Sequence, residues 1–486
     1  MVSFGREGPK KLGLGLFMFV FTEKVFSRVA LIGLLSCSSA CFSADPEMWE
    51  EYNIPAPDAS WSAMTVQAEA TLAKGQVLDL TKAGEIALSH HPDLVRRKSS
   101  VAAANAQVGQ ALSAFFPQIS LGGSYSQSTG NSSGLSGSHR ASQTHYSDSS
   151  RNQSASLGLS QLIFDFGQTD AAYQRSKHNA QSAAHDLENI ILSTLLEVRE
   201  SYFTYLEELS LLEVADQTVK SFEKHLDDIS KRYDVGRGTK ADVASASVNL
   251  GEARLEALRN KNRLEKARLR LNLSMGLEED PGYEVQRVIP QSVFDIEQKD
   301  AVAQARESRP DLKSSWQQFK AAEQSLIRAK GGYYPSLSLG GTYSFGGKRF
   351  PLVRNWSLTP SFSWTIFDSF NTSEAIEEAR ANLREARADL ATVRQQAYLE
   401  VNESWLDTQV SRKRMALAKE TIESATESLR LVSGRYKVGR ATRLEQTDAE
   451  LALARAKAEA VSSRFDYERS SAKLLENMGM TEAKKK

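Results

Sequence analysis

Residues 355–367 read NWSLTPSFSWTIF, and the fold turns on what covers one side of this stretch. Trp356, Leu358, Pro360, Phe362, Trp364 and Ile366 fall on every second position, with Ser357, Thr359, Ser361, Ser363 and Thr365 between them. Side chains on a strand alternate sides, so a strand here has one wholly apolar face and one face of hydroxyls. The cover is either a soluble core or lipid.

Three other segments alternate in the same way. In 117–125, Ile119, Leu121 and Tyr125 oppose Gln118, Ser120 and Ser124. In 335–345, Leu337, Leu339, Tyr343 and Phe345 oppose Ser336, Ser338, Thr342 and Ser344. Leu157, Leu159 and Ile163 follow the pattern more weakly in 154–164. Each run is about 9–12 residues, the length of a tilted transmembrane strand. No second sheet is evident to bury the apolar faces, so lipid is the better cover. Trp356, Phe362, Trp364 and Tyr343 then face lipid, with the aromatic residues near strand ends as interface anchors. The Ser/Thr faces line water. Four strands are too few to close a barrel, since the smallest single-chain membrane barrels use about eight. Open strand edges are excluded from hydrocarbon, so the chain must associate to close its sheet.

The sequence is also a tandem duplication. FPQISLGGSYS at 116–126 returns as YPSLSLGGTYS at 334–344, and HPDL at 91–94 as RPDL at 309–312. IFDFGQT at 163–169 returns as IFDSFNT at 366–372, RYDVGRGT at 232–239 as RYKVGRAT at 435–442, and SMG at 274–276 as NMG at 477–479. The offset is 334 − 116 = 218 before the strands and 366 − 163 = 203 after them, so the first copy has the longer connection between its strands. That connection, 126–156, is rich in Ser, Gly and Asn and reads as an exposed loop.

Between these landmarks lie long helices. No Gly or Pro interrupts 168–235, which at 1.5 Å per residue is about 100 Å of helix. Asn371 to Val438 repeats this with only Gly434 as an interruption. Ile191, Leu195, Val198, Tyr202, Leu206, Leu209 and Leu212 step by three or four, as in an antiparallel coiled coil. The expected organisation is a signal peptide at 1–44, an N-terminal periplasmic extension at 45–77 and a C-terminal tail at 481–486. The first repeat covers 78–280, with strands about 116–126 and 154–166 and helices 168–235 and 239–275. The second covers 281–480, with strands about 334–345 and 355–367 and helices 371–438 and 442–478.

Residues 1–44 carry basic residues flanking two apolar runs and end in SSACFSA, the pattern of an export leader starting at Met1 or Met18. Cys37 closes LLSC, an imperfect lipidation site, while Ala40 closes an ordinary cleavage site; both readings stand. Lys+Arg and Asp+Glu are each 60, so no charge excess points to nucleic acid. No phosphate-binding glycine loop, nucleophile arrangement or converging metal ligand set occurs, and no cofactor is expected. His178 and His185 on a helix, and His139 and His145 in the loop, form no set of that kind.

In this combination of duplication, strand pairs, IFD passages and YDVG/YKVG turns, the chain resembles the TolC-like outer-membrane efflux protein family over roughly 78–480. The resemblance implies a membrane β-barrel of twelve strands, closed by a homotrimer and continued by a long α-helical coiled-coil tunnel through the periplasm. It implies an exit duct for a tripartite efflux pump or a type I secretion system. The partners implied are a periplasmic adaptor (membrane fusion) protein, an inner-membrane transporter and outer-membrane lipid. The duct itself catalyses nothing. Segments 45–77 and 277–300 would form a belt around the tunnel.

The resemblance also assigns roles at the helix turns. Val235, Gly236, Val438 and Gly439 are where the adaptor docks. Tyr436 is the gating tyrosine and Asp242 its hydrogen-bonding aspartate. The family arginine is replaced by Ala441, with Arg440 and Arg443 as neighbours able to stand in. Glu445 and Asp448, three apart on one helix face, would form stacked acidic rings that favour cations. A soluble periplasmic coiled-coil adaptor is the alternative, and a periplasmic enzyme a remoter one. The strict duplication and the membrane-length strands argue against both.

Overall fold

A computed structural model describes residues 75–132, 146–287 and 296–480. The leader at 1–44 with Cys37, most of 45–77, the loop histidines His139 and His145, part of 277–300 and the 481–486 tail lie outside the described residues.

The first copy runs β1 (Val77–Leu78), α1 (Leu80–His90), α2 (Pro92–Ser113), β2 (Gln118–Ser132), β3 (Tyr146–Phe164), α3 (Gln168–Asp234) and α4 (Lys240–Ser274). After β4 (Glu284–Val285) the second runs α5 (Gln298–Ser308), α6 (Pro310–Gly331), β5 (Ser336–Gly347), β6 (Val353–Ser363), α7 (Asn371–Lys437) and α8 (Arg443–Asn477). The repeated PDL places proline in the first turn of α2 and α6, where its missing N–H is not needed. The repeated IFD motif makes the strand-to-helix passage. In each copy two residues with positive φ turn the chain (Phe166 and Gly167, Ser369 and Phe370). The Asp165 carboxylate then accepts from the Thr169 N–H at 2.7 Å and hydroxyl at 2.5 Å, and Asp368 accepts from Thr372 at 2.8 and 2.5 Å.

The four long strands form one antiparallel sheet in the order β2-β3-β5-β6, leaving β2 and β6 as edges. Its register aligns the four alternating patterns. Ile119, Leu159, Gly341 and Leu358 make one rung, and Leu121, Leu157, Tyr343 and Trp356 the next on the same face. The opposite face carries Ser120, Gly158, Thr342 and Ser357, then Gly122, Ser156, Ser344 and Asn355. The apolar side is left uncovered by the chain: Leu121 is 83 % exposed and Trp356 76 %.

Three expectations are corrected. The strand expected at about 355–367 runs Val353–Ser363, so Trp364 and Ile366 lie beyond its end, where the Trp364 indole N–H donates to the Tyr333 carbonyl at 3.1 Å. The 126–156 connection is not all loop, because β2 and β3 stay paired from Ser126↔Asn152 out to Ser132↔Tyr146, with Ser128 and Ser150 hydroxyls 2.9 Å apart. Backbone ladder bonds need no hydrophobic alternation, so a Ser-rich hairpin pairs without the signal that marks a buried strand. Simple alternation does not carry through Ile163, since a bulge between Leu162 and Phe164 breaks the register and it is Phe164 that pairs with Leu337. Gln161 occupies the next position on the row of Leu157 and Leu159 and donates to the Phe115 carbonyl at 3.0 Å.

The helices form a layer. In the half away from the sheet, α4 packs on α3, α3 on α8 and α8 on α7; nearer the sheet the order is α2, α3, α6, α7. The same positions of the two copies build the belt where these halves meet. In the first, Ala83, Ala87, Val198, Leu271 and Met275 pack with Tyr202, whose hydroxyl donates to the Gln286 carbonyl at 2.9 Å beside the β1–β4 pair. In the second, Ala301, Ala305, Val401, Leu474 and Met478 pack with Trp405, whose indole N–H donates to the Ile296 carbonyl at 3.0 Å.

Both return arms end against the start of their own repeat at a glycine. Gly479 has φ 73°, and a Cβ there would lie 2.8 Å from the backbone of Ser308 and Arg309. Strained backbone and a backbone clash act together, so Gly479→Ala is expected to cost about 3 kcal/mol in denaturant unfolding. Gly434→Ala, in the last turn of α7 with nothing within 4 Å, is expected to stabilise by up to about 1 kcal/mol.

Candidate functional site

The helix turns at the far end from the sheet are built twice from one plan. Gly236 and Gly439 take φ 73° and 72°, which a glycine adopts without steric cost. The Arg237 N–H then bonds the Arg232 carbonyl at 2.8 Å, and the Arg440 N–H the Arg435 carbonyl at 2.8 Å, closing each helix end. The next helix starts with a reciprocal cap. Thr239 accepts from the Asp242 N–H at 3.2 Å while Asp242 accepts from the Thr239 N–H at 3.0 Å; Thr442 and Glu445 repeat this at 3.3 Å each way. Val235 and Val438, both 70 % exposed, crown the turns.

This plan changes how the predicted gate residues are engaged. The Tyr436 hydroxyl accepts from Arg232 at 3.0 Å, and the same guanidinium lies 5.2 Å from the Tyr436 ring centroid. Within the chain, therefore, the partner of Tyr436 is Arg232 and not Asp242. The Asp242 carboxylate is taken up by its cap: hydrogen bonds from the Thr239 hydroxyl and N–H hold it below the ordinary carboxylate range, with a smaller pull from Arg443. Arg440 is exposed and its carbonyl accepts from Arg435 at 3.2 Å. Glu445 and Asp448 are both exposed at the start of α8.

Behind the turns sits His225, buried against Phe222, with its Nε2 lacking a hydrogen-bond partner. Burial, aided by Arg443, lowers its pKa from 6.5 to about 4. The unfolded chain thus binds a proton at higher pH than the folded one. Stability from neutral His225 is complete above about pH 6.5 and declines as pH falls towards 4, by about 3 kcal/mol in total. Melting curves between pH 7 and 4 test this: the fall should be markedly smaller in His225→Leu than in the parent chain. Elsewhere, His178 bonds Gln317 at 2.8 Å and His185 bonds Glu188 at 3.0 Å, so each has a local structural partner.

Sequence reading missed Arg232 and the two threonine caps. The T-x-x-D and T-x-x-E spacing marks the caps; nothing local marks a contact between residues 232 and 436.

A sheet with one lipid-facing side, two open edges and a layer of very long helices defines a subunit of a membrane barrel continued by a helical tunnel. The chain belongs to the outer membrane efflux protein family, whose profile matches residues 84–277 and 301–480. It is 27 % identical to protein CyaE of Bordetella pertussis over 69 % of this chain and 70 % of that protein. It is 23 % identical to the outer membrane protein TolC of Escherichia coli over 78 % of this chain and 77 % of that protein. The CmeC outer membrane channel of Campylobacter jejuni superposes with a TM-score of 0.73 at 19 % identity, covering 86 % of this chain and 91 % of that one. The soluble adaptor alternative is set aside by this membership: the apolar sheet face meets the outer membrane.

Proposed function

We propose that the chain is the outer-membrane exit duct of a tripartite efflux pump or type I secretion system, working as a homotrimer. The observation that carries this is the set of matching open edges. The sheet ends in β2 and β6, four strands that are closed in hydrocarbon only by further copies. The helical layer ends on the same two sides in α4 and α7, each with an uncovered apolar stripe: Val248, Leu255, Leu258, Leu269 and Leu273 on one, Leu399, Leu406, Val410, Leu417 and Leu431 on the other. One edge of a copy meets the other edge of the next, a heterologous contact that closes into a ring. Four strands from each of three copies give twelve.

The duct conducts passively and performs no catalysis. Energy comes from an inner-membrane transporter, reached through a periplasmic adaptor that docks at Val235, Gly236, Val438 and Gly439. The Arg232–Tyr436 contact holds the tip closed, Asp242, Arg440 and Arg443 set the charge around it, and the Glu445 and Asp448 rings favour cations. Membership of the outer membrane efflux protein family supports the efflux reading.

Extraction in mild detergent and planar-bilayer recording test the proposal. A detergent-dependent trimer with a small closed-state conductance is expected. Arg232→Ala with Tyr436→Phe removes a charge-assisted hydrogen bond and should raise open probability roughly tenfold. A monomer released without detergent would overturn the duct.

A further inference from the structure

The lipid-facing side of the sheet changes character toward its hairpin end, the end opposite the helices. Arg354 is two residues from Trp356 on the same side of β6 and pairs with Phe345. Arg151 continues the outward row of Leu157 and Ala155 on β3, and Lys348 and Arg349 lie in the connection after Gly347. All four are exposed, and none is ion-paired among the described residues. A guanidinium pointing away from the lumen is tolerated only where hydrocarbon gives way to headgroups. Among the described residues each chain thus carries four cations without an ion-pair partner beyond the Tyr343–Trp356 rung, Arg354 nearest to it and the other three farther out.

Taking the sheet as membrane-spanning, we infer that this cationic rim binds the phosphate groups of phosphorylated glycolipids in the outer leaflet. Two features favour a lipid over a soluble anion. The cations adjoin an apolar and aromatic surface that acyl chains cover, and they lie on the face away from the conducting path. Arginine also forms paired hydrogen bonds with phosphate oxygens, and three of the four cations are arginines.

The test uses the full chain in mild detergent and measures binding of bisphosphorylated lipid A, the same lipid with its phosphates removed, and inorganic phosphate. The comparison variant is Arg151→Gln, Lys348→Gln, Arg349→Gln and Arg354→Gln combined. Bisphosphorylated lipid A is expected to bind the parent at least about tenfold more tightly than the variant, and dephosphorylation should abolish the difference. Millimolar inorganic phosphate should leave the lipid bound. Equal binding by parent and variant, or displacement by inorganic phosphate, would overturn the inference. A second variant with the three arginines changed to lysine keeps the charge and should retain most binding. Oligomeric state and conductance are read on the same samples, so failure of the rim and failure of the duct are told apart.

Discussion

Leu358→Arg is expected to abolish the assembled channel in the outer membrane. Leu358 lies in the rung with Ile119, Leu159 and Gly341, all on the uncovered face, and is itself 58 % exposed to what the chain leaves open. An arginine at the hydrocarbon midplane of a barrel costs about 2–4 kcal/mol, and in the proposed trimer three copies in one ring would bring the total to about 10 kcal/mol. That is comparable with the whole stability of an ordinary domain. The amount of oligomer recovered from envelope fractions in mild detergent reads the loss directly. Ser357→Arg, one residue away on the opposite face, should assemble normally and alter ion selectivity. Equal loss in both variants would refute the assignment of faces.

Arg309→Met is expected to be the most damaging single change in the helical belt, at about 3–5 kcal/mol. Its buried guanidinium bonds Asp311 and Glu400 at 2.7 Å each and the Asn477 carbonyl at 3.2 Å, at the corner between α5 and α6. Without the cation, the Asp311 and Glu400 carboxylates are left close together with no positive charge between them. Adding Glu400→Gln should recover part of the stability at neutral pH, measured as a double-mutant cycle. The first copy has His91 at the matching position, where it caps the Asp93 N–H at 3.3 Å instead.

What could be read from the sequence was what is local. Alternation over 355–367 marked a strand that the chain builds as Val353–Ser363, the absence of breakers in 168–235 marked a long helix, and the repeat let every motif be seen twice. The PDL corners and IFD passages were visible as motifs, although their physical roles, proline at a helix start and an aspartate gripping a threonine four residues on, required coordinates. Three things were out of reach. The outer part of the β2–β3 hairpin has no apolar face to betray it. The bulge at Ile163 shifts a row that composition alone continues. The Arg232–Tyr436 contact depends on how two hairpins 204 residues apart lie side by side.

The central strand pairing of the sheet, Leu157 with Tyr343, joins positions 343 − 157 = 186 residues apart. The helical hairpins, by contrast, close over short turns and can zip from their tips. Chain-closure entropy therefore orders biogenesis: helical arms and the β2–β3 and β5–β6 hairpins first, the β3–β5 seam later, and the free edges of β2 and β6 paired only if a neighbour arrives. Until then each newly made chain displays two bare strand edges and a sticky apolar face, the features that drive misassembly. In the proposed assembly, folding, insertion and oligomer formation thus become one coupled event, and the strand order favours escorting the unfinished chain.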